Sequence, residues 1–214
     1  MIHWVVFDAM GVVYTVADDT NDLLVPFIRE RNPDISRESI NEIYLRTSLG
    51  EISSRQFWDE VGLGDRFPAI ETTYLDDRVV VDPAFGPVAM RLARQFRLGL
   101  LSNDVAEWSR YLRTRRGLAF DATTISGDVH SRKPSPEIYR HFLRASGARA
   151  DQCVFVDDRD ANLAAAHEAG FRTIHFGGDD SEEGHGDASG FEPDARIVGF
   201  GELEAAIGRI EGLR

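Results

Sequence analysis

Residues 5–14 read Val-Val-Phe-Asp-Ala-Met-Gly-Val-Val-Tyr, an apolar run that stops at Asp8 and is followed by Gly11. A short run made only of apolar residues predicts a strand buried on both faces, as in a parallel sheet. Asp8 would then lie at the carboxyl end of this strand, where open α/β sheets bind their ligands. Gly11 lets the chain turn sharply away from that point. The stretch therefore predicts an α/β fold with a carboxylate in its binding crevice.

Strand-like and helix-like segments alternate along most of the chain, which predicts a parallel sheet with crossover helices. The predicted strands are Trp4–Phe7, Leu98–Leu101, Ala122–Ile125, Val154–Val156, Arg172–Phe176 and Ala195–Val198. The predicted crossover helices are Val88–Gln95, Glu107–Arg115, Pro136–Ala145 and Asn162–Ala169. We therefore expect a doubly wound parallel sheet domain, formed by residues 1–14 and 85–214.

Residues 15–84 interrupt this alternation and predict a small α-helical domain. Helical patterns cover Asp22–Glu30 and Ser36–Leu49, and Ser53-Ser-Arg-Gln56 has the spacing of a capping box at the start of a third helix. Near the other end of the chain, residues 177–190 are acidic and rich in glycine, which predicts a solvated loop.

Composition limits the classes of function. With 214 residues and 43% hydrophobic content, the chain can bury one sizeable core and carry a small appended domain. The formal net charge of −12 argues against a general binder of nucleic acid or anionic membranes, because phosphates would be repelled. It leaves room for a small phosphorylated substrate, since local charge can oppose the global sign. The one cysteine, Cys153, lies in an apolar run and is expected to be buried in a strand.

No segment reaches 18 apolar residues, and the N-terminus lacks a basic region followed by a long apolar stretch. We therefore expect a soluble, cytoplasmic protein.

Three of the predicted strands end in polar residues, which would meet at one edge of a parallel sheet. These residues are Asp8, then Ser102-Asn103-Asp104, then Asp157-Asp158. Adjacent aspartates repel each other unless a cation or a proton intervenes. A few carboxylate oxygens, completed by water and substrate, suit Mg²⁺. Asp104 has the capping-box spacing to Glu107 and is expected to begin the next helix.

These segments resemble, in order, the four motifs of the haloacid dehalogenase-like hydrolases. The first motif is usually Asp-x-Asp-Gly, and here Met10 replaces the second aspartate. The helical insertion after the first strand is similar to the small cap of the family's subgroup I. The resemblance covers nearly the whole chain from Trp4 onward. It rests on Asp8-Ala-Met-Gly11, Ser102-Asn103, Lys133-Pro-Ser-Pro136, and Asp157-Asp158 followed by Asn162.

The resemblance implies a role for each of these residues. Asp8 is the nucleophile and Lys133 a catalytic point charge, while Ser102, Asn103 and Lys133 bind the phosphoryl group. Mg²⁺ is held by Asp8, the backbone carbonyl of Met10, Asp157 and Asp158, with Asp158 as the main ligand of the fourth motif. Asn162 orients this set. Outside the motifs, Arg132 is expected to be peripheral, and Asp160 is expected to be exposed.

Methionine at position 10 leaves three functional hypotheses. The first is an Mg²⁺-dependent phosphatase of a small phosphorylated metabolite that acts through an aspartyl-phosphate at Asp8. It would be slow on poor leaving groups, because Met10 cannot transfer a proton and a positioned acid contributes about 10²–10⁴-fold. The second is a non-catalytic or weakly active relative that binds a phosphorylated ligand or a partner protein. The third is a metal-free 2-haloacid dehalogenase, in which Asp8 attacks carbon and no leaving-group acid is needed.

The charges of the residues at this edge of the sheet rank these hypotheses. Asp157 and Asp158 would be electrostatically costly beside Asp8 and an anionic substrate unless a cation is present, because Lys133 supplies only one positive charge. A dehalogenase of this type does not need adjacent acids at that place. Phosphoryl chemistry therefore ranks first.

Overall fold

A computed structural model describes residues 1–177 and 190–212, so the loop predicted for residues 177–190 lies almost wholly outside the described residues. Within these ranges, six strands form one sheet in which every pair is parallel. They are β1 (Trp4–Phe7), β2 (Arg97–Ser102), β3 (Ala122–Ile125), β4 (Cys153–Asp157), β5 (Arg172–Phe176) and β6 (Ala195–Ile197). The strand order is β3-β2-β1-β4-β5-β6.

This order confirms the predicted doubly wound α/β sheet. The chain runs from β1 outward through β2 to β3, then crosses back to β4 on the other side of β1 and continues to β6. Such a reversal opens a crevice at the carboxyl ends of the two strands on either side of it, here β1 and β4. The α-helices of the sheet domain are α5 (Phe85–Leu92), α6 (Ala106–Arg116), α7 (Ser126–Val129), α8 (Pro136–Ser146), α9 (Asp160–Glu168) and α10 (Leu203–Ile210).

Alternation along β1 divides the core between the two faces of the sheet. Val5 and Phe7 belong to one cluster of buried apolar side chains, and Trp4 and Val6 belong to another. This is the two-residue period of a strand that is covered on both faces. Cys153 is fully buried in β4, as expected.

A helical segment, residues 20–78, connects β1 to α5. It contains a π-helical turn (Thr20–Leu24), α1 (Val25–Arg29), α2 (Arg37–Ser48), α3 (Ser54–Glu60) and α4 (Ala69–Arg78). The capping box predicted at Ser53 and Gln56 is present at the start of α3. The division of the chain at residues 14 and 84 stays a prediction, because side chains of the segment share one buried cluster with the sheet domain. No helix in the described ranges is long and apolar enough to cross a membrane.

Candidate active site

The central strands bring two of the predicted acids together. Phe7 of β1 is in register with Val156 of β4, and the Asp8 N–H donates to the Val156 carbonyl at 2.9 Å. Asp8 and Asp157 therefore leave the sheet side by side, at the crevice where the strand order reverses. On the other side of β1, Phe7 is in register with Leu100 of β2. The end of β2 adds Ser102, which is buried and lines the same cavity.

Lys133 lies between the two acids. Its Nζ is 2.7 Å from Asp8 Oδ1 and 2.7 Å from Asp157 Oδ2, and only 1% of its side chain is exposed. Burial opposes its charged form, but Asp157 and Asp8 outweigh burial and raise the pKa of Lys133. Burial also raises the pKa of Asp8 to about 6, with Lys133 as the main opposing influence. The lysine is thus a fixed cation held between two carboxylates.

Asn103 positions this lysine. Its Oδ1 accepts a hydrogen bond from the Lys133 N–H at 2.7 Å, and its Nδ2 donates to the Lys133 carbonyl at 3.0 Å. Both ends of the side-chain amide are therefore engaged with the backbone that carries the lysine. Of the side-chain donors of Asn103, the second Nδ2 hydrogen is left for a phosphoryl group, in addition to the backbone N–H.

The neighbouring acids of the fourth motif have different surroundings. Asp157 accepts hydrogen bonds from Lys133, from the Asn162 amide at 3.1 Å, and from the Arg159 N–H at 2.9 Å. Asp158 Oδ1 is buried and has no hydrogen-bond partner among the described residues. Burial, followed by the charges of Asp157 and Asp8, raises the pKa of Asp158 to about 8. Asp157 therefore anchors the lysine, while Asp158 has a free oxygen.

Gly11 makes room for this free carboxylate. Its φ is +76°, in the left-handed region that favours glycine. A methyl group at this position would overlap the Asp158 carboxylate. The glycine noted in the first motif is thus needed both for the turn after β1 and for the placement of an acid from β4.

The acid cluster fits a divalent cation. One oxygen from each of Asp8, Asp157 and Asp158 lies within 4.8 Å of the others. Lys133 is the cation that contacts this group, so three carboxylates face one positive charge. Together with the unpartnered oxygen of Asp158, this oxygen-only set has the chemistry of an Mg²⁺ site.

A cavity of about 110 Å³ opens beside these groups, compared with about 30 Å³ per molecule in liquid water. Asp8, Met10, Ser102, Asn103, Lys133 and Asn162 of the predicted set line it. Six residues that the motifs did not identify complete the wall: Ala17, Asp19, Thr20, Tyr44, Arg132 and Arg159.

Arg132 is therefore not peripheral, and that prediction is wrong. Its side chain lines the cavity, and its guanidinium donates to the Ser48 hydroxyl at the end of α2. The one available signal was its position directly before Lys133. Tyr44 comes from α2 and Asp19 directly precedes the helical segment. Neither belongs to a motif, so only the fold places them here.

Two further predictions about acids are wrong. Asp104 does not cap α6, because Val105 is still extended and the helix begins at Ala106. Instead, Asp104 is buried, its Oδ1 accepts from the Val105 N–H at 2.7 Å, and its own N–H donates to Ser126 Oγ at 2.9 Å.

Asp160 is not exposed, because its partly buried carboxylate pairs with Arg196 at 3.3 Å and lies 3.7 Å from His175.

The sequence and the fold of this chain are both similar to those of known proteins. A family model described as haloacid dehalogenase-like hydrolase matches residues 2–170, well over half of the chain. A curated relative, the glyceraldehyde 3-phosphate phosphatase of Methanopyrus kandleri, is 29% identical over 94 residues. That match covers 42% of this chain and 40% of the relative, so less than half of the relative's length is spanned.

Solved structures share the whole fold at low identity. A 2-haloacid dehalogenase from Pseudomonas syringae pv. Tomato DC3000 has a TM-score of 0.71 and 22% identity, covering 98% of this chain and 100% of that one. A family enzyme from Bacteroides thetaiotaomicron, in complex with magnesium and inorganic phosphate, has a TM-score of 0.70 and 17% identity. That comparison covers 89% of this chain and 98% of the other. At these identities the likeness shows the fold alone.

Proposed function

Because the chain belongs to the haloacid dehalogenase-like hydrolases, we propose that it is an Mg²⁺-dependent phosphatase that acts on a small phosphorylated metabolite through an aspartyl-phosphate at Asp8. The observation that carries this proposal is the grouping of Asp8, Asp157 and Asp158 around one lysine, with a buried Asp158 oxygen left without a partner among the described residues. A buried polar atom without a partner is costly, and a bound cation removes that cost.

The residues divide the work of phosphoryl transfer among them. An Asp8 oxygen attacks phosphorus, the bond to the leaving oxygen breaks, and water later attacks the aspartyl-phosphate and restores the carboxylate. Lys133 stabilises negative charge beside Asp8, while Ser102 and the backbone of Asn103 hold the phosphoryl oxygens. Asp8, the Met10 carbonyl and Asp158 would hold Mg²⁺, with Asp157 contributing directly or through water. The ion would neutralise charge on the transferred group.

The cavity supports a small anionic substrate. Arg132, Arg159 and Lys133 line it beside Asp8 and Asp19, so the wall offers three cationic side chains to an anion although the chain carries a net charge of −12. The name of the Methanopyrus kandleri relative supports phosphatase activity, and the Mg²⁺ and phosphate of the Bacteroides thetaiotaomicron structure support the cofactor. Since the sequence match covers 40% of the relative, we assign the substrate by class, as a small phosphorylated compound.

The helical segment would act as a cap on this cavity, with residues 15–84 as the cap domain. Ala17 and Thr20 lie in the cavity wall at the entry to the segment, and Tyr44 reaches the wall from α2. A cap in this position limits the size of the substrate and excludes water from the reacting group.

Met10 supports a second candidate, a metal-free 2-haloacid dehalogenase. Met10 lines the cavity but carries no proton to donate, and cleavage of a carbon–halogen bond needs no such donor. The dehalogenase from Pseudomonas syringae pv. Tomato DC3000 has the same fold. The acid cluster favours the phosphatase, because attack by Asp8 without a metal would place three carboxylates and an anionic substrate around one lysine.

Two parallel assays test these candidates. The phosphatase proposal predicts Mg²⁺-dependent release of phosphate from at least one member of a panel of acyl, aryl and sugar phosphates, abolished by EDTA. Chloride release from 2-chloropropionate in the presence of EDTA would overturn it in favour of the dehalogenase. Binding of inorganic phosphate and Mg²⁺ without turnover of any substrate would identify a non-catalytic relative that binds a phosphorylated ligand or a partner protein.

A further inference from the structure

The proposed phosphatase lacks an obvious proton donor for its leaving group. Met10 lines the cavity at the position where the first motif of the family usually has its second aspartate. The thioether of Met10 cannot supply a proton. A different carboxyl group, that of Asp19, lines the same cavity. Resting on the proposed function, we propose that Asp19 is the general acid and base that replaces the carboxyl group missing at position 10.

In this reaction Asp8 forms a bond to phosphorus while the bond from phosphorus to the leaving oxygen breaks. The electron pair of that bond stays on the leaving oxygen, which takes the proton of Asp19 and departs as an alcohol. Water then attacks the aspartyl-phosphate, and its proton passes to the Asp19 carboxylate as inorganic phosphate is released. Asp8 and protonated Asp19 are both restored, so no further reactant is required.

Asp19 is a buried aspartate at the start of a helical turn, and its side chain lines the cavity. It directly precedes the π-helical turn Thr20–Leu24 and already has helical backbone angles (φ −57°, ψ −32°), so the cap falls to the residue before it. Within the described structure, its side chain makes no capping hydrogen bond, and the residue is only 8% exposed. A buried acid that lines a cavity, next to a residue that already caps the turn, is placed for contact with a bound molecule.

The adjacent Asp18 takes the structural role instead. Its Oδ1 accepts from the Asn21 N–H at 3.1 Å, and its Oδ2 accepts from the Asn21 side-chain amide at 2.8 Å. Asp18 is not among the residues that line the cavity. The pair therefore separates a carboxyl group that holds the turn from one that faces the cavity.

The environment of Asp19 suits proton transfer near neutral pH. Burial, followed by the charge of Asp18, raises the pKa of Asp19 to about 7. The Thr20 N–H, Arg132 and Arg159 act in the opposite direction and lower this pKa. An acid whose pKa is near the working pH can give a proton in one step and take one in the next. The other titratable groups that interact with it electrostatically are Asp104, Tyr44 and Tyr74.

The test compares Asp19→Asn with Asp18→Asn, both with saturating Mg²⁺, on two esters. One is 2,4-dinitrophenyl phosphate, whose leaving group needs no proton, and the other is an alkyl phosphate such as glycerol phosphate. We expect Asp19→Asn to lower kcat on the alkyl ester by about 10²–10⁴-fold and on the dinitrophenyl ester by less than about 10-fold. Asp18→Asn should retain the wild-type ratio between the two esters.

Equal losses on both esters, or no loss on the alkyl ester, would overturn the assignment of Asp19 and leave the phosphatase proposal intact. Failure of the wild-type protein to hydrolyse either ester would overturn the phosphatase proposal itself.

A rescue and a pH profile distinguish proton transfer from a structural role. In the Asp19→Asn background, Met10→Asp should raise kcat on the alkyl ester by at least about 10-fold, because it supplies the carboxyl group that position 10 lacks. Wild-type kcat on that ester should fall above about pH 7, where Asp19 loses its proton, and the fall should be absent in Asp19→Asn. An unchanged pH profile in Asp19→Asn would contradict the assignment.

Discussion

Two regions of the molecule are built around carboxylates, and they differ in whether the carboxylate oxygens have hydrogen-bond partners. In the indole cluster, formed by Trp58, Glu71 and Trp108, Glu71 Oε2 accepts from Trp58 Nε1 at 3.0 Å and from Trp108 Nε1 at 2.8 Å. At the carboxyl edge of the sheet, Asp8, Asp157 and Asp158 share one lysine, and a buried oxygen of Asp158 has no partner among the described residues. The first arrangement is complete without a ligand, whereas the second is not.

The difference separates a carboxylate whose hydrogen-bond donors lie in the fold from carboxylates that need a further partner. Trp58 belongs to α3 and Trp108 to α6, so the indole cluster ties the helical segment to the sheet domain. Its donors match its acceptor, which makes it a stabilising contact. The acid cluster places like charges together at a cost in stability. Such a cost persists where a bound ion or substrate offsets it.

The largest expected effect is that of Asp8→Asn on turnover. The amide cannot act as the nucleophile, so kcat should fall by about 10⁴-fold or more, as in other covalent catalysts that lose a central group. The fold should remain intact, because one of three crowded charges is removed. Phosphate release and thermal unfolding measure the two effects. Full activity in this variant would remove Asp8 from the mechanism.

Lys133→Met should damage both activity and stability. Without the lysine, Asp8 and Asp157 lose the cation at 2.7 Å from each, and breaking a buried ion pair costs about 3–5 kcal/mol. Urea unfolding in EDTA measures the loss. The control is Arg55→Met, which removes an exposed ion pair with Asp59 and should cost less than about 1 kcal/mol. Similar losses in the two variants would contradict the role given to Lys133.

Glu71→Gln tests the other half of the comparison. The amide keeps one acceptor oxygen but loses the charge, so the free energy of unfolding should fall by about 1–3 kcal/mol. Since Glu71 does not line the cavity, kcat should stay within about twofold of wild type. A tenfold loss of kcat with unchanged stability would show that the two regions are not separate in function.

Per pH unit, the smallest expected effect is a pH dependence of stability. Burial, followed by the charge of Asp19, raises the pKa of Asp104 from 3.8 to about 8. Between these values the folded protein keeps a proton on Asp104 that the unfolded chain releases. Asp104 should therefore lower stability as pH rises through this window, by at most about 1.4 kcal/mol per pH unit. Asp104→Asn keeps the acceptor for the Val105 N–H and should flatten the slope. Identical slopes in urea unfolding would exclude this contribution.

Much of the sheet could be predicted because its strands are short apolar runs between polar residues. The prediction for β1 has the observed bounds, and those for β2 and β4 are one residue short at each end. Helix starts were less predictable. Residues Val88–Gln95 were predicted as a helix, but α5 begins at Phe85, because Pro87 is tolerated in the first turn, where its missing N–H is not needed.

The site was predictable where its residues directly follow strands. Asp8 and Asp157 share an edge because parallel strands end together, so sequence position was sufficient to bring them together. Asp19 and Tyr44 reach the cavity only because the chain after β1 folds back over the sheet edge, which no local pattern encodes. Arg132 lies between α7 and α8, and its one signal was its position directly before Lys133. Asp104 had a capping spacing, but the extended backbone at Val105 delays the helix and leaves this acid buried.

The most direct test of the acid cluster is calorimetric titration of the protein with Mg²⁺ alone. Wild type should take up one Mg²⁺ per chain in a saturable manner, and Asp158→Asn should weaken this binding by at least about 10-fold. The matched control, Asp160→Asn, changes an acid that pairs with Arg196 and should bind like wild type. No uptake by wild type, or equal uptake by Asp158→Asn, would contradict a cation site at the edge of the sheet.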